Sequence, residues 1–139
     1  MRTTMFDEEL KKFEHISTAA GIPIEYTQGG GGNTSVKLSN ELMAVKASGF
    51  KLKQITPTEG YVVVNYKKIK EFYNNVNLSL DRDYEKESTE YVKACIVPME
   101  GLKQLRPSVE AGFHSILQKY VIHTHPVYAN ILCCAQNGK

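Results

Sequence analysis

Two short strand patterns near the start of the chain constrain its fold more than any other feature. Thr34 to Leu38 and Leu42 to Ala47 are predicted strands, and Ser39-Asn40-Glu41 between them suits the turn of a hairpin. A third strand is predicted from Tyr61 to Asn65. Because strands joined by a tight turn pair antiparallel, the sequence predicts a sheet that begins as an antiparallel hairpin.

Helical patterns surround these strands. Apolar residues recur at helical spacing from Phe6 to Ala20, and Gly21 followed by Pro23 is a signal that ends a helix. The polar stretch from Asn74 to Glu90 is interpreted as a surface loop or insertion. Early strands with helices after them predict an α/β layered domain, with a mainly antiparallel sheet flanked by helices. Three further helices are predicted, over Lys67 to Tyr73, from Pro107, and over Val127 to Gln136.

Length and composition favour one globular domain. The chain has 139 residues, of which 42% are apolar, and this is enough for one core. Lysine and arginine number 17 against 15 acidic residues, so the net charge of +2 does not indicate a nucleic-acid-binding surface. The apolar runs are too short to span a bilayer, and the amino terminus resembles an amphipathic helix more than an export signal. We therefore expect a cytoplasmic protein that binds neither nucleic acid nor membrane.

The last predicted helix, Val127 to Gln136, contains two of the three cysteines and is expected to be capped by Asn137-Gly138. The cysteines have no disulfide-framework spacing and lack the Cys-x2-Cys form of zinc ligands. The adjacent pair, Cys133 and Cys134, lies in an apolar stretch and is interpreted as reduced core thiols.

The motif with the clearest chemistry is His123-Thr124-His125, which follows the apolar run Tyr120 to Ile122. Residues i and i+2 of a strand point to the same face, so both rings can reach one metal ion while Thr124 faces the other way. Such a pair would supply two of the three protein ligands that a catalytic zinc usually has. Taken alone, the motif also fits histidines exposed on a strand without a metal.

A carboxylate stands upstream of the histidines. Glu110 is predicted in the first turn of the helix that begins at Pro107, where the positive end of the helix dipole favours its ionised form. His114, one turn further, is interpreted as a structural or supporting residue rather than a ligand. The buried stripe of this helix is predicted to consist of Val109, Phe113, Ile116 and Leu117.

A glycine-rich segment precedes the first strand. Gly29 to Gly32, followed by Asn33, is either a flexible turn that uses glycine for its positive φ angles or a cradle of backbone amides for an anion. His15, in the first helix, has no partner motif nearby and is interpreted as a surface residue.

The order of these motifs resembles the class II aldolase/adducin family, which includes fuculose-phosphate and rhamnulose-phosphate aldolases and ribulose-phosphate epimerase. The resemblance covers Gly29 to about Ala135, through a Gly-Asn-x-Ser turn, a Ser/Thr-Gly turn, a Pro-Ser-x-Glu helix start and His-x-His-Pro. Gly-Gly-Gly-Asn-Thr-Ser-Val-Lys, Val-Lys-Ala-Ser-Gly and Arg-Pro-Ser-Val-Glu are most similar to the amino-terminal aldolase part of bifunctional proteins in which a short-chain dehydrogenase follows. The resemblance implies that residues 1–139 form an incomplete class II aldolase/adducin N-terminal-like domain. Its fold would be a three-layer α/β/α arrangement without the C-terminal strands.

The resemblance also assigns roles to residues. His123 and His125 would be ligands of Zn2+, and Glu110 would be the acid/base that transfers a proton. Val109 stands where the family often has a second serine. The positions that would hold the substrate phosphate are Gly32, Asn33, Ser48, Gly49 and Ser108.

The activity implied by the resemblance is zinc-dependent, reversible aldol cleavage of a ketose phosphate, by a homo-oligomer acting on a small sugar phosphate. The family's third zinc histidine lies downstream of the His-x-His pair, and no histidine follows His125 here. We therefore expect the 139 residues by themselves to lack full activity. The alternative is a catalytically silent, adducin-like domain for assembly. The presence of Glu110 together with both histidines favours the enzyme.

Overall fold

The elements of the fold follow the order predicted from the sequence, with one additional helix. The computed structural model describes residues 5–136, and a 3-10 turn (Leu52–Gln54) lies between its second and third strands. In this described range, no helix is both long and apolar enough to cross a membrane. The elements are α1 (Asp7–Gly21), β1 (Asn33–Lys37), β2 (Leu42–Lys46), β3 (Tyr61–Asn65), α2 (Tyr66–Asn75), α3 (Tyr84–Ala94), α4 (Ala111–Ile116), β4 (Tyr120–His123) and α5 (Val127–Cys134).

The four strands form one sheet in the order β3-β2-β1-β4, and every neighbouring pair is antiparallel. The hairpin prediction for β1 and β2 is confirmed, with Ser35 opposite Val45. On the other side of β1, Asn33 lies opposite His123 at the end of β4. The end of the glycine-rich segment is therefore held directly beside the His-x-His motif.

Helices cover both faces of the sheet, because the side chains of each strand alternate between two apolar clusters. Helix α1 packs on one face through Leu10 and Phe13, against Val36, Ala44 and Val63 of three strands. The three-layer α/β/α prediction is thereby confirmed. The cluster on the opposite face joins the sheet to α2, α3 and α4 and includes Met43, Val45, Val62, Val64, Ile69, Val92 and Ala111.

The prediction of a surface loop from Asn74 to Glu90 is wrong in its second half, because α3 begins at Tyr84. A single buried residue, Val92, marks the face of α3 that meets the core, so the sequence shows no helical repeat of apolar residues. A local cap and a contact with α2 define the helix instead. The carboxylate of Asp83 accepts a hydrogen bond from the amide of Lys86 at its start, and the Tyr91 ring stacks on Phe72 at 4.5 Å between centroids.

The helix predicted from Pro107 begins four residues later, at Ala111. Pro107 instead forms an isolated antiparallel bridge with Ala47, which holds the preceding segment extended along the end of β2. Glu110 is consequently the N-cap residue of α4 and lies before its first turn.

The prediction of which residues of α4 are buried is also wrong. Val109, Phe113, Ile116 and Leu117 are exposed, and the buried residues are the small or polar Ala111, Gly112, His114 and Ser115. The reason is close packing, since an added methyl group at Gly112 would collide with the Tyr73 hydroxyl of α2. Small residues therefore face the core on this helix.

Helix α5 is exposed along the part of the chain that the structure describes. Cys133 and Cys134 are both exposed, so their interpretation as core thiols is wrong. The apolar residues Tyr128, Ile131 and Leu132 are also exposed. The cap predicted at Asn137-Gly138 lies outside the described residues.

The end of α1 generates a test of the packing. A methyl group at Gly21 would lie 2.6 Å from Cβ of Leu52 and 2.7 Å from the backbone nitrogen of Lys53. Gly21→Ala should lower the free energy of unfolding by about 1–3 kcal/mol, because the 3-10 turn must move to accommodate it. Gly30→Ala is the control, since a methyl group there meets nothing within 4 Å. Equal urea-denaturation midpoints for the two variants would contradict this account.

Candidate metal and acid–base site

The two histidines reach the site because the chain stays extended after β4 ends at His123. After His123, the backbone amide of His125 donates to the carbonyl of Tyr26 at 2.7 Å, and the amide of Val127 donates to Glu25 at 2.9 Å. This second pairing keeps the chain extended through the motif. The two imidazole rings lie on the same side, with centroids 4.8 Å apart.

Glu110 faces the histidines from the start of α4, and its two carboxylate oxygens have different surroundings. Oε1 lies 3.3 Å from Nδ1 of His123 and 3.9 Å from Nε2 of His125. Oε2 accepts hydrogen bonds from Nδ2 of Asn33 at 3.0 Å and from Oγ of Ser108 at 3.1 Å. The second oxygen thus anchors the side chain, and the first is directed at the imidazoles.

The charge of Glu110 is stabilised by its neighbours. Burial is the largest single influence and raises the pKa of this carboxyl. The hydrogen bonds from Asn33 and Ser108, together with the nearby histidines, lower the pKa by more than burial raises it. The net result is a pKa below the ordinary glutamate value, so Glu110 is an ionised carboxylate at neutral pH. The prediction of an ionised Glu110 therefore agrees with the surroundings of the carboxyl group. Hydrogen bonds from Asn33 and Ser108 favour the charged form, beyond the helix dipole considered from the sequence.

Glu110, His123 and His125 fit the requirements of a metal site. Each offers one ligand atom, and these atoms lie within 4.8 Å of one another. Two ligands about 2.0–2.1 Å from a tetrahedral zinc are roughly 3.3 Å apart, which is close to the separation of Glu110 from His123. Nδ1 of His123 is buried and makes no hydrogen bond among the described residues, so its position is consistent with a bond to an ion.

The glycine-rich segment is packed against this trio at its end. A methyl group at Gly31 would lie 3.0 Å from Nδ1 of His125, and one at Gly32 would lie 2.5 Å from Cγ2 of Thr27 and 3.0 Å from the His123 carbonyl. Gly32 also has a φ angle of +77°, which disfavours other residues. Glycine is needed here for close approach to the histidines as well as for the turn.

The five residues predicted to hold a phosphate fall into two groups. Ser48 and Ser108 line one cavity of about 140 Å³, and Gly49 directly follows Ser48. Asn33 and Gly32 lie at the histidine side, where the Asn33 amide nitrogen is bonded to Glu110. Oδ1 of Asn33 is buried without a hydrogen bond among the described residues. Their phosphate-binding role stays a prediction.

Lys46 is a component of the site that was not predicted from the sequence. Its side chain is only 3% exposed, and Nζ donates to the carbonyls of Phe50 at 2.7 Å and Gly30 at 3.3 Å. The lysine therefore ties the glycine-rich segment to the turn after β2. Burial lowers its pKa, and the negative charge of Glu110 opposes this change. A lysine within a short apolar strand was the signal that could have identified it.

His114 lies outside the ligand trio, in agreement with its interpretation as a supporting residue. It is fully buried, and its Nδ1 is 2.8 Å from the hydroxyl oxygen of Ser35 in β1. The adjacent Phe113, although exposed, packs edge-on against the His123 ring at 5.5 Å between centroids. Helix α4 therefore contacts both the sheet and a candidate ligand. His15, by contrast, is exposed, as predicted.

Comparison with known proteins assigns the class that this fold and site suggest. Residues 24–139 match the family described as "Class II Aldolase and Adducin N-terminal domain". The chain belongs to the class II aldolase/adducin family.

Two relatives illustrate the extent of the likeness. The chain is 33% identical to the "Uncharacterized oxidoreductase YuxG" of Bacillus subtilis (strain 168), in an alignment that covers 99% of this chain but 20% of that protein. It also superimposes on the N-terminal class II aldolase domain of a conserved protein from Thermoplasma acidophilum. That match has a TM-score of 0.74 and 23% identity, and covers 98% of this chain and 63% of the other. The structural likeness establishes a shared fold, and the chain spans only part of either relative.

Burial of His114 generates a prediction about acid stability. Desolvation lowers its pKa from 6.5 to about 4, with a smaller opposing effect of Glu110 and a smaller lowering effect of His123. Because the unfolded chain binds the proton more tightly, stability is greatest above pH 6.5 and is lost as the pH falls toward 4. His114→Gln should remove roughly 2–3 kcal/mol of this dependence, measured by urea denaturation at several pH values. The exposed His15→Gln variant is the control, and parallel curves for wild type and His114→Gln would contradict the assignment.

Proposed function

We propose that this domain carries the zinc-dependent acid–base site of an aldolase that reversibly cleaves a ketose phosphate. The observation that carries the proposal is the convergence of an ionised carboxylate and two imidazoles within 4.8 Å, built from α4 and β4. Two imidazole nitrogens suit zinc as ligands, and the carboxylate beside them suits an acid or base. Membership of the family supports the same class of chemistry, and the choice of zinc and of a ketose phosphate is part of the proposal.

His123 and His125 would hold the ion, with Oε1 of Glu110 directed at the same place. When bound, zinc supplies a Lewis acid for the negative charge that develops on the ketose oxygens during cleavage or proton loss. Asn33 and Ser108 fix Oε2 and leave Oε1 free to act. The protein groups thus prepare one oxygen as a base.

Glu110 is proposed to transfer the proton of the reaction. In the condensation direction, Oε1 accepts a proton from the carbon next to the carbonyl of the ketone donor; that carbon then bonds to the aldehyde carbon, whose C=O π bond opens, and the aldehyde oxygen takes a proton from water. In cleavage, the same hydroxyl gives its proton to water as the carbon–carbon bond breaks, and the protonated Glu110 returns its proton to the carbon released. An ionised carboxylate at neutral pH is in the correct state to begin the first sequence.

An assembly role is the second candidate, and one observation supports it. Large apolar side chains are exposed on α4, β4 and α5, and exposed apolar patches of this kind often mark interaction surfaces. The same surface suits the homo-oligomer that we propose for an active enzyme. The exposed apolar surface therefore supports both candidate functions, and the group of Glu110, His123 and His125 supports the enzyme. The residues concerned are Phe113, Ile116, Leu117, Tyr120, Ile122, Tyr128, Ile131 and Leu132.

Zinc binding is the first test of the proposed function. Calorimetric titration should show saturable binding to the wild-type chain, with affinity reduced about tenfold or more in His123→Ala and in His125→Ala. His15→Ala should match wild type, because that histidine is exposed on α1 away from the trio. Indistinguishable titrations for all four proteins would remove the metal site.

Hydrogen exchange at carbon tests the base. It requires only proton transfer, and so makes fewer demands on the site than complete cleavage. With zinc present, the chain should exchange a carbon-bound hydrogen of dihydroxyacetone phosphate with deuterium from the solvent. The loss of the corresponding signal in proton NMR spectra measures the exchange rate. Glu110→Gln should keep zinc through the histidines and slow exchange by about 10²-fold or more, since an amide preserves the shape but does not accept the proton. Wild-type exchange equal to that of the variant, or to zinc alone, would favour the assembly role.

A further inference from the structure

We propose that Lys93 and Arg106 form a cationic wall of the cavity beside the acid–base site and bind the dianionic phosphate group of the substrate. The inference rests on the proposed function and specifies what distinguishes a phosphorylated ketose from a neutral one. Lys93 lies outside the motifs that carry the family resemblance, and Arg106 is the first residue of Arg-Pro-Ser-Val-Glu, where the resemblance assigns it no role. Both line the cavity of about 140 Å³ that also contains Ser48 and Ser108.

The floor of this cavity is rigid because two chain segments are clamped together. Ala47 and Pro107 form an antiparallel bridge, and the amide of Ser48 donates to the carbonyl of Arg106 at 2.9 Å. The Ser108 amide donates to the carbonyl of Lys46 at 3.4 Å. These bonds fix Ser48 and Ser108 side by side and place Arg106 next to both.

Helix α3 supplies the opposite side of the cavity. Thr89 and Lys93 both line it, and they are four residues apart, which places them on one face of the helix. Most of this helix lies in the stretch predicted to be a loop, and Lys93 lies just beyond that stretch. The packing of α3 brings Lys93 to the same cavity as Ser48 and Ser108.

The charges on the cavity wall are uncompensated. No acidic side chain lines the cavity, and neither Lys93 nor Arg106 forms an ion pair among the described residues. Other cations of the surface have partners, such as Arg82 with Glu87 at 2.8 Å and Lys119 with Glu9 at 3.3 Å. Two unpaired cations that face one small space create a preference for an anion.

The chemistry of the wall suits a phosphate dianion. A guanidinium group binds phosphate through two parallel hydrogen bonds, and an ammonium group adds a point charge. Val109 also lines the cavity and offers no hydrogen-bonding group, so the polar groups of the wall are the two cations and the hydroxyls of Ser48, Thr89 and Ser108. Ser108 connects the two sites, because it lines the cavity while its hydroxyl donates to Glu110.

The test is titration of the zinc-free chain with inorganic phosphate at constant ionic strength, followed by NMR of the backbone amides. The amides of Ser48, Gly49 and Ser108 should shift with saturation. Lys93→Gln and Arg106→Gln should each weaken phosphate affinity about tenfold, the loss expected for one charge-assisted hydrogen bond. Lys103→Gln removes the same charge three residues from Arg106, but Lys103 is exposed and lines a different cavity, so its affinity should stay within about twofold of wild type.

Equal phosphate affinities for wild type and both cavity variants would overturn the proposal. A loss of affinity in Lys103→Gln as large as in the cavity variants would also overturn it, as would the absence of saturable shifts at the amides of Ser48, Gly49 and Ser108. Melting curves of the variants, all substituted at exposed positions, establish that each one is folded. Since zinc is absent, failure of the proposed aldolase chemistry would appear separately, in the metal titration and the hydrogen-exchange assay. Phosphate binding without exchange would retain this cavity and reject the catalytic role.

Discussion

The antiparallel pairing of β1 with β4 is the interaction on which the candidate site depends. It sets Asn33 opposite His123, two residues that are 90 positions apart in the chain. Backbone hydrogen bonds fix this register, and a slip by one residue would turn the His123 ring to the other face. The second pairing, of His125 with Tyr26, extends the same constraint to the second histidine. The site is therefore as ordered as the sheet that carries it.

Glu110 is held by a different device, which requires non-helical backbone. The bridge between Ala47 and Pro107 keeps the residues before α4 extended, so the chain turns into the helix only after Glu110. A helix begun at Pro107 would direct this side chain elsewhere relative to Ser108 and Asn33. The delayed start lets Oε2 accept two hydrogen bonds and leaves Oε1 directed at the His123 imidazole. The Ser108 hydroxyl thus connects Glu110 with the cavity that Ser108 lines.

Two lysines show how charge is distributed around the site. Lys46 is buried, and carbonyl oxygens of the glycine-rich segment and of the turn after β2 satisfy it. Lys93 is exposed and has no acidic partner in the described residues, although it faces a cavity. The hydrogen bonds of Lys46 to those carbonyls connect the two loops beside the site. An unpaired cation on a cavity wall is available to a ligand.

The sequence by itself determined the strands, most of the helices, the antiparallel start of the sheet and the three residues of the candidate site, because these depend on local spacing. The His-x-His pair needs only the two-residue period of a strand, and Glu110 stands in a motif with a fixed order. Tertiary structure alone decided the start of α4, the course of α3, the burial of Lys46 and the exposure of Cys133 and Cys134. Each of these depends on contacts between segments far apart in the chain, such as Ala47 with Pro107 or Tyr73 with Gly112, which no local pattern encodes.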